Sequence, residues 1–200
     1  MLPARKLSPA FGVPPLTECA FYSIIKGDAF WRGGPGLVIL GIDPGLATLG
    51  YGVIRAEGDR CQLVQFGVLT TGAGQPLPQR LRSIFLGVHQ LMDIYGPDEV
   101  AFEELFFSKN VTTGMAVSAA RGAALAAAAT KTENLFEYTP NQVKQAVTGH
   151  GKADKLQVQT MVKLLLNMQE IARPDDAADA LAVALTHAHS ARMRSMFRIQ

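Results

Sequence analysis

The 200-residue sequence has two cysteines, one tryptophan, 8% aromatic residues and almost no excess of either charge, with a formal net charge of +2. Each scarcity excludes something. Two cysteines, Cys19 and Cys61, are too few for a multi-bridge scaffold, and a reduced, cytoplasmic setting fits best. No apolar run of about 18 residues is free of charge, so nothing reads as a membrane span. The best candidate, 111–130, carries Arg121 and is mostly Ala and Gly. As an average, the near-zero charge gives no sign of a polyanionic partner. What is present is 48% apolar residues, enough for a full core and too many for wholesale disorder. The length suits one or two domains, with one favoured.

Residues 1–36 stand apart. They hold five of the eleven prolines and Trp31, show no sustained period, and end in the breaker cluster Arg32-Gly33-Gly34-Pro35-Gly36. They lack a continuous apolar stretch of the secretory kind. The segment reads as an irregular N-terminal extension. It either precedes the true start or packs as an arm through Phe21, Tyr22 and Trp31. Residues 37–191 form one patterned domain, and 192–200 a basic C-terminal tail.

Within the domain, 37–42 is a continuous apolar run, a central strand buried on both faces. Residues 51–56 and 62–70 read as two further strands, joined by a hairpin at Glu57-Gly58-Asp59. An apolar stripe from Leu77 to Tyr95 marks an amphipathic helix. Residues 99–103 form a short buried strand after Gly96-Pro97, and 111–131 a helix of small residues. Residues 135–138 are a fifth strand. Pro140 opens a helix, where its missing N–H costs nothing. Val158, Met161, Val162, Leu165 and Met168 line another, and Pro174 opens the last, 175–191. The order predicts an α/β fold: a mixed five-stranded sheet flanked by helices.

Isolated acids fall at informative places. Asp43 ends the first apolar strand and Glu103 ends Val100-Ala101-Phe102-Glu103, at the strand ends where open α/β sheets place their sites. Asp176 and Asp179 are three apart on the last helix and share a face. The alanines around them let that helix approach the sheet. Four carboxylates meeting there would repel one another unless divalent cations bridged them, and hard oxygen ligands favour Mg²⁺ or Mn²⁺ over Zn²⁺. Each acid alone has a plainer reading: Asp43 as a turn residue before Pro44-Gly45, Glu103 as a solvated strand end, Asp175 and Asp176 as a helix start favoured by the macrodipole. His187 and His189 are two apart on a helix and do not share a face, so they are not a metal pair.

The residues then carry a resemblance. Gly41-Ile42-Asp43-Pro44-Gly45 followed by Gly50-Tyr51-Gly52 resembles the opening of the RuvC family of Holliday-junction resolvases. So do Phe102-Glu103-Glu104-Leu105-Phe106 with Lys109-Asn110, and Ala120-Arg121-Gly122. Gln142-Val143-Lys144-Gln145 and the block from Gly149 to Lys155 with Gln157-Val158 match too, as does Asp176-Ala177-Ala178-Asp179-Ala180-Leu181-Ala182. The blocks run in the family's order from Leu37 to about His189.

The resemblance implies an RNase H-like fold and a homodimeric, Mg²⁺-dependent endonuclease. Such an enzyme resolves four-way DNA junctions by paired symmetric nicks, in recombination and repair, alongside a branch-migration helicase complex. Asp43, Glu103, Asp176 and Asp179 match the family's four acidic positions, where some relatives have His in place of Asp176. They imply two Mg²⁺ ions per site, with Mn²⁺ as a substitute. Asp43 would bridge the ions, with Glu103 and the Asp176/Asp179 pair on opposite sides, and no protein nucleophile would be needed. Lys144 and Lys155 match basic residues required for activity, and Phe106 an aromatic at the junction centre. Lys109 and Lys152 join them as DNA-contacting candidates, with Lys144, Lys152 and Lys155 grouped around a Gly-rich loop at 148–151. The small-residue helix suits packing on the sheet or against a second copy, and the resemblance favours the dimer. The opening motif also resembles the first phosphate motif of actin-like ATPases, which need two such domains and a second Gly-rich motif. The charge now reads differently. The whole +2 lies in residues 1–36, and the domain averages an acidic pocket against a basic surface.

Overall fold

The continuous apolar run at the start of the domain becomes the middle of a five-stranded sheet. A computed structural model describes residues 35–105, 111–190 and 193–200. The strands are β1 (Leu37–Asp43), β2 (Thr48–Glu57), β3 (Arg60–Thr70), β4 (Glu99–Glu103) and β5 (Leu135–Tyr138), in the order β3-β2-β1-β4-β5. β1 pairs antiparallel with β2, β2 antiparallel with β3, and the β1–β4 and β4–β5 pairs are parallel. The sheet is therefore mixed. The hairpin turns at Gly58-Asp59, where Gly58 adopts φ +59° and Glu57 faces Arg60.

Among the described residues, five α-helices cover both faces: α1 (Leu77–Tyr95), α2 (Val111–Ala129), α3 (Pro140–Thr148), α4 (Lys155–Leu165) and α5 (Asp175–His189). Side chains alternate across a strand. Leu40, Ile42, Val100 and Phe102 face one way and pack with Ile84, Val88, Leu91, Ala120 and Ala124 of α1 and α2. Ile39, Ala101, Phe136 and Tyr138 face the other way, against α3, α4 and the alanine-rich α5. Helix α2 ends two residues earlier than its composition suggests. Likewise, α4 stops at Leu165, before Met168, and Asn167 adopts φ 50°.

Two helix starts are fixed by reciprocal caps. The Thr139 hydroxyl accepts from the Gln142 amide while the Gln142 side chain accepts from the Thr139 amide, at 3.2 and 2.8 Å. Asp154 and Gln157 make the same arrangement at the start of α4, at 2.8 and 2.9 Å. The two glutamines of the sequence blocks are thus partly explained as caps.

The chain end is not a detached tail. Arg198 forms a β-bridge with Phe136, the Ile199 amide donates to the Leu135 carbonyl at 2.9 Å, and Phe197 packs on Tyr138 with ring centroids 4.7 Å apart. The basic composition of this segment hid two apolar side chains, Phe197 and Ile199, which the sheet edge partly buries. Residues 1–34, with most of the extension, lie outside the described residues.

Candidate active site

Strand parity decides which acids meet. Asp43 shares a face with Ile39, and Glu103 with Ala101, so both carboxyls project toward α5. They end adjacent parallel strands, one step beyond the paired Ile42 and Phe102. Helix α5 crosses this face very closely because strand glycines leave room. A side chain on Gly50 would overlap the Asp176 carbonyl, and one on Gly41 the Ala180 carbonyl. Ala177, Ala178, Ala180, Ala182 and Ala184 on α5 are all fully or almost fully buried. Close approach needs small residues on both partners, and of these only the helical alanines stand out from the sequence pattern.

The electrostatics show the convergence. Burial first, then Glu103 and Asp179, push Asp43 up to about 8, with a hydrogen bond to Glu103 and the Asp176 charge adding to it. Burial also raises Glu103, helped by Asp179 and opposed by its hydrogen bond with Asp43 and by Lys155 and Lys144. Burial and the neighbouring carboxylates thus favour the protonated form of Asp43 when no cation is near. Asp179 is raised by burial and partly relieved by Lys155. Glu103, Asp179 and Asp176 therefore all act on Asp43.

They are not gathered as a cage. Among the described residues, no three His, Cys, Asp or Glu side chains are close enough together to hold an ion as they stand. Asp179 is turned to Lys155, with Nζ 3.2 Å from its Oδ2. Glu103, Asp179, Lys144 and Lys155 line a cavity of about 230 Å³. Burial works against the Lys155 ammonium, and Asp179 and Asp175 outweigh it, raising its pKa above the ordinary value.

The lysines predicted as one cluster divide. Lys144 and Lys155 face the carboxylates. Lys152 lines a different groove of about 670 Å³, with Gln142, Gln145, Met193 and Phe197. The glycine-rich loop between them is tied down: the Thr148 hydroxyl donates to the Lys144 carbonyl at 2.8 Å, and the Gln145 amide to the Gly149 carbonyl at 2.9 Å. Phe106 and Lys109 lie outside the described residues.

Two sets of contacts become visible only in the fold. Asp175, read as a helix start, also pairs with Lys155 and Arg173, at 3.3 and 2.6 Å. His187 is fully buried, with Nε2 2.7 Å from Glu99 Oε2 and Nδ1 2.7 Å from the Tyr138 hydroxyl. A lone polar residue on the apolar side of α5 was the available signal for the second.

The chain is similar to known proteins over most of its length. Residues 39–187 match the family described as "Crossover junction endodeoxyribonuclease RuvC". The protein of that description from Alkaliphilus metalliredigens is 51% identical over 164 residues, spanning 82% of this chain and 100% of its own. The Thermus thermophilus RuvC structure superposes with a TM-score of 0.73 at 41% identity, over 78% of this chain and 96% of that one. T. thermophilus RuvC in complex with Holliday junction substrate gives a TM-score of 0.72 at 38% identity, over the same shares.

Proposed function

The chain belongs to the RuvC family of crossover junction endodeoxyribonucleases, and from that premise we infer that it is a Holliday junction resolvase whose cutting centre is the four-carboxylate pocket. Its fold is RNase H-like. The observation that carries the site is the push of Glu103, Asp179 and Asp176 on buried Asp43. Folding gathers like charges there against their own repulsion, which fits a site completed by positive charge.

The donor set fits hard divalent cations, because carboxylate oxygens suit Mg²⁺ or Mn²⁺ better than Zn²⁺. Asp43, Glu103, Asp176 and Asp179 are the residues that would hold two such ions. When bound, the ions supply positive charge to the attacking and leaving oxygens of the phosphodiester. The chain's own residues do the rest. To ligate cations, Asp43 and Glu103 would both have to be ionised. Asp179 would have to leave Lys155, whose Nζ stands 3.2 Å from its Oδ2, to join them. Lys144 and Lys155, facing the same cavity as Glu103, draw the phosphodiester in and offset its charge. Water would serve as the nucleophile, and the described residues lining the cavity offer carboxylates and ammonium groups to orient it.

A homodimer completes the reading. Ala120, Ala124, Ala127 and Ala128 of α2 are fully buried within the protomer, while Met115 is 69% exposed and nothing stands within 4 Å of a Cβ placed on Gly122. That outward side of small and apolar residues suits a second copy, which would set two pockets symmetrically on a four-way junction.

The deciding experiment offers a synthetic four-way junction, a duplex and an RNA–DNA hybrid with Mg²⁺ or with EDTA. Paired nicks in the junction alone, and only with Mg²⁺, are expected. Equal cutting of the hybrid, or cutting in EDTA, would overturn the reading.

A further inference from the structure

We propose that Asp175 is a positioning residue that holds the Lys155 ammonium beside the pocket when Asp179 turns away from it. The inference rests on the metal-dependent reading above and concerns a residue outside the four acids.

Three observations support it. Lys155 Nζ lies between two carboxylates one helical turn apart, 3.2 Å from Asp179 Oδ2 and 3.3 Å from Asp175 Oδ2. The far oxygen of Asp175 is itself held, 2.6 Å from Arg173 Nη1. Meanwhile the Lys155 backbone is fixed as the first residue of α4, directly after the Asp154 cap. Both ends of the Lys155 side chain are therefore placed.

The consequence follows from competition for one oxygen. An ammonium and a divalent cation cannot both take the same face of the Asp179 carboxylate. On loading, Lys155 has to let go, and Asp175 gives it an anchor one turn away. The ammonium then stays near the Glu103 cavity, where a phosphate would meet it. Without Asp175, Asp179 is its one remaining carboxylate at ion-pair distance among the described residues, and the lysine competes with the metal.

Direct Mn²⁺ binding to the full chain, followed by electron paramagnetic resonance, tests this apart from catalysis. Exposed pairs are worth up to about fivefold in an equilibrium, so Asp175→Asn is expected to weaken Mn²⁺ binding about three- to fivefold. Asp175→Ser, which also suits a helix start, is expected to give the same shift, and Asp175→Glu to restore binding. In a Lys155→Met background the Asp175→Asn effect is expected to vanish, whereas a general loss of negative charge would persist there. Melting temperature in EDTA reads any loosening of the helix start separately. Wild-type affinity in Asp175→Asn, or an undiminished loss in the Lys155→Met background, would overturn the inference alone. A wild-type chain that binds no Mn²⁺ would instead overturn the metal reading and, with it, this one.

Discussion

A side chain on Gly41 would collide with the carbonyl oxygen of Ala180, so α5 rests directly on the backbone of β1. Gly41 faces Gly52 across the β1–β2 pair, and Gly50 faces Asp43. The three glycines form a flat path along which α5 carries Asp176 and Asp179 to the strand ends. Gly50→Ala places a methyl where the Asp176 carbonyl stands. Overpacking of this kind costs about 1–3 kcal/mol. Junction nicking is expected to fall more than tenfold, with a lower melting temperature, when the variant is compared with wild type.

Much of this site was readable before any coordinates. Asp43 and Glu103 are the charged residues at the ends of apolar strands, and strand parity puts both on one face. Asp176 and Asp179 follow from helical spacing. Asp175 was not readable in its second role, because its partner Lys155 comes from another helix and only the packing of α4 on α5 joins them. His187 was opaque for the same reason, since Glu99 and Tyr138 lie on two different strands. The glycine path needed the β1–β2 register, which hydrophobic pattern alone does not supply.

Removing the charge at Asp43 separates folding from function. Asp43→Asn relieves the repulsion from Glu103, Asp179 and Asp176. The metal-free variant is expected to melt above wild type at pH 8. Its nicking is expected to fall by more than about 100-fold, since even the outer partners of a metal site cost 10–100-fold. Melting and cleavage measured on one preparation check both directions. A variant that is both less stable and inactive would point to a structural role only.

Stability should depend on pH in an unusual direction. Asp43 moves from an ordinary 3.8 to about 8 on folding, and Glu103 and Asp179 are also raised. The folded state therefore binds protons more tightly than the unfolded chain. That contribution is complete below about pH 4 and is lost as pH rises through about 8. Asp175 and Asp93 are lowered, so the stability they add is present throughout this range and is lost only at more acidic pH. In EDTA the melting temperature is expected to drop between pH 5 and pH 8, with Mg²⁺ restoring it most at the upper end. The ordering of melting temperatures at pH 5, 6.5 and 8 decides the matter.

The buried Glu99–His187–Tyr138 contacts fasten the far half of α5. With Nε2 donating to the carboxylate, Nδ1 is left to accept from the tyrosine hydroxyl. His187→Phe removes a partner from a mostly buried carboxylate, at a cost of about 2–3 kcal/mol. Tyr138→Phe removes a neutral hydrogen bond, at about 1 kcal/mol. Urea unfolding of the two variants is expected to rank them in that order.

Salt dependence can tell the lysines apart. Each ammonium that neutralises a phosphate adds about 0.9 to the slope of log affinity against log salt. Lys144→Ala, Lys152→Ala and Lys155→Ala are each expected to reduce that slope by about one in junction binding without metal. Their effects on cleavage should diverge, because Lys144 and Lys155 line the cavity with Glu103 and Asp179, whereas Lys152 lines the groove toward Met193 and Phe197. At saturating enzyme the Lys152→Ala defect is expected to disappear, leaving a change in KM alone. The Lys144→Ala and Lys155→Ala defects are expected to persist in kcat, because those charges meet the phosphodiester that is cut. A kcat loss in Lys152→Ala equal to the other two would mean that the groove, and not the cavity alone, takes part in the cutting step.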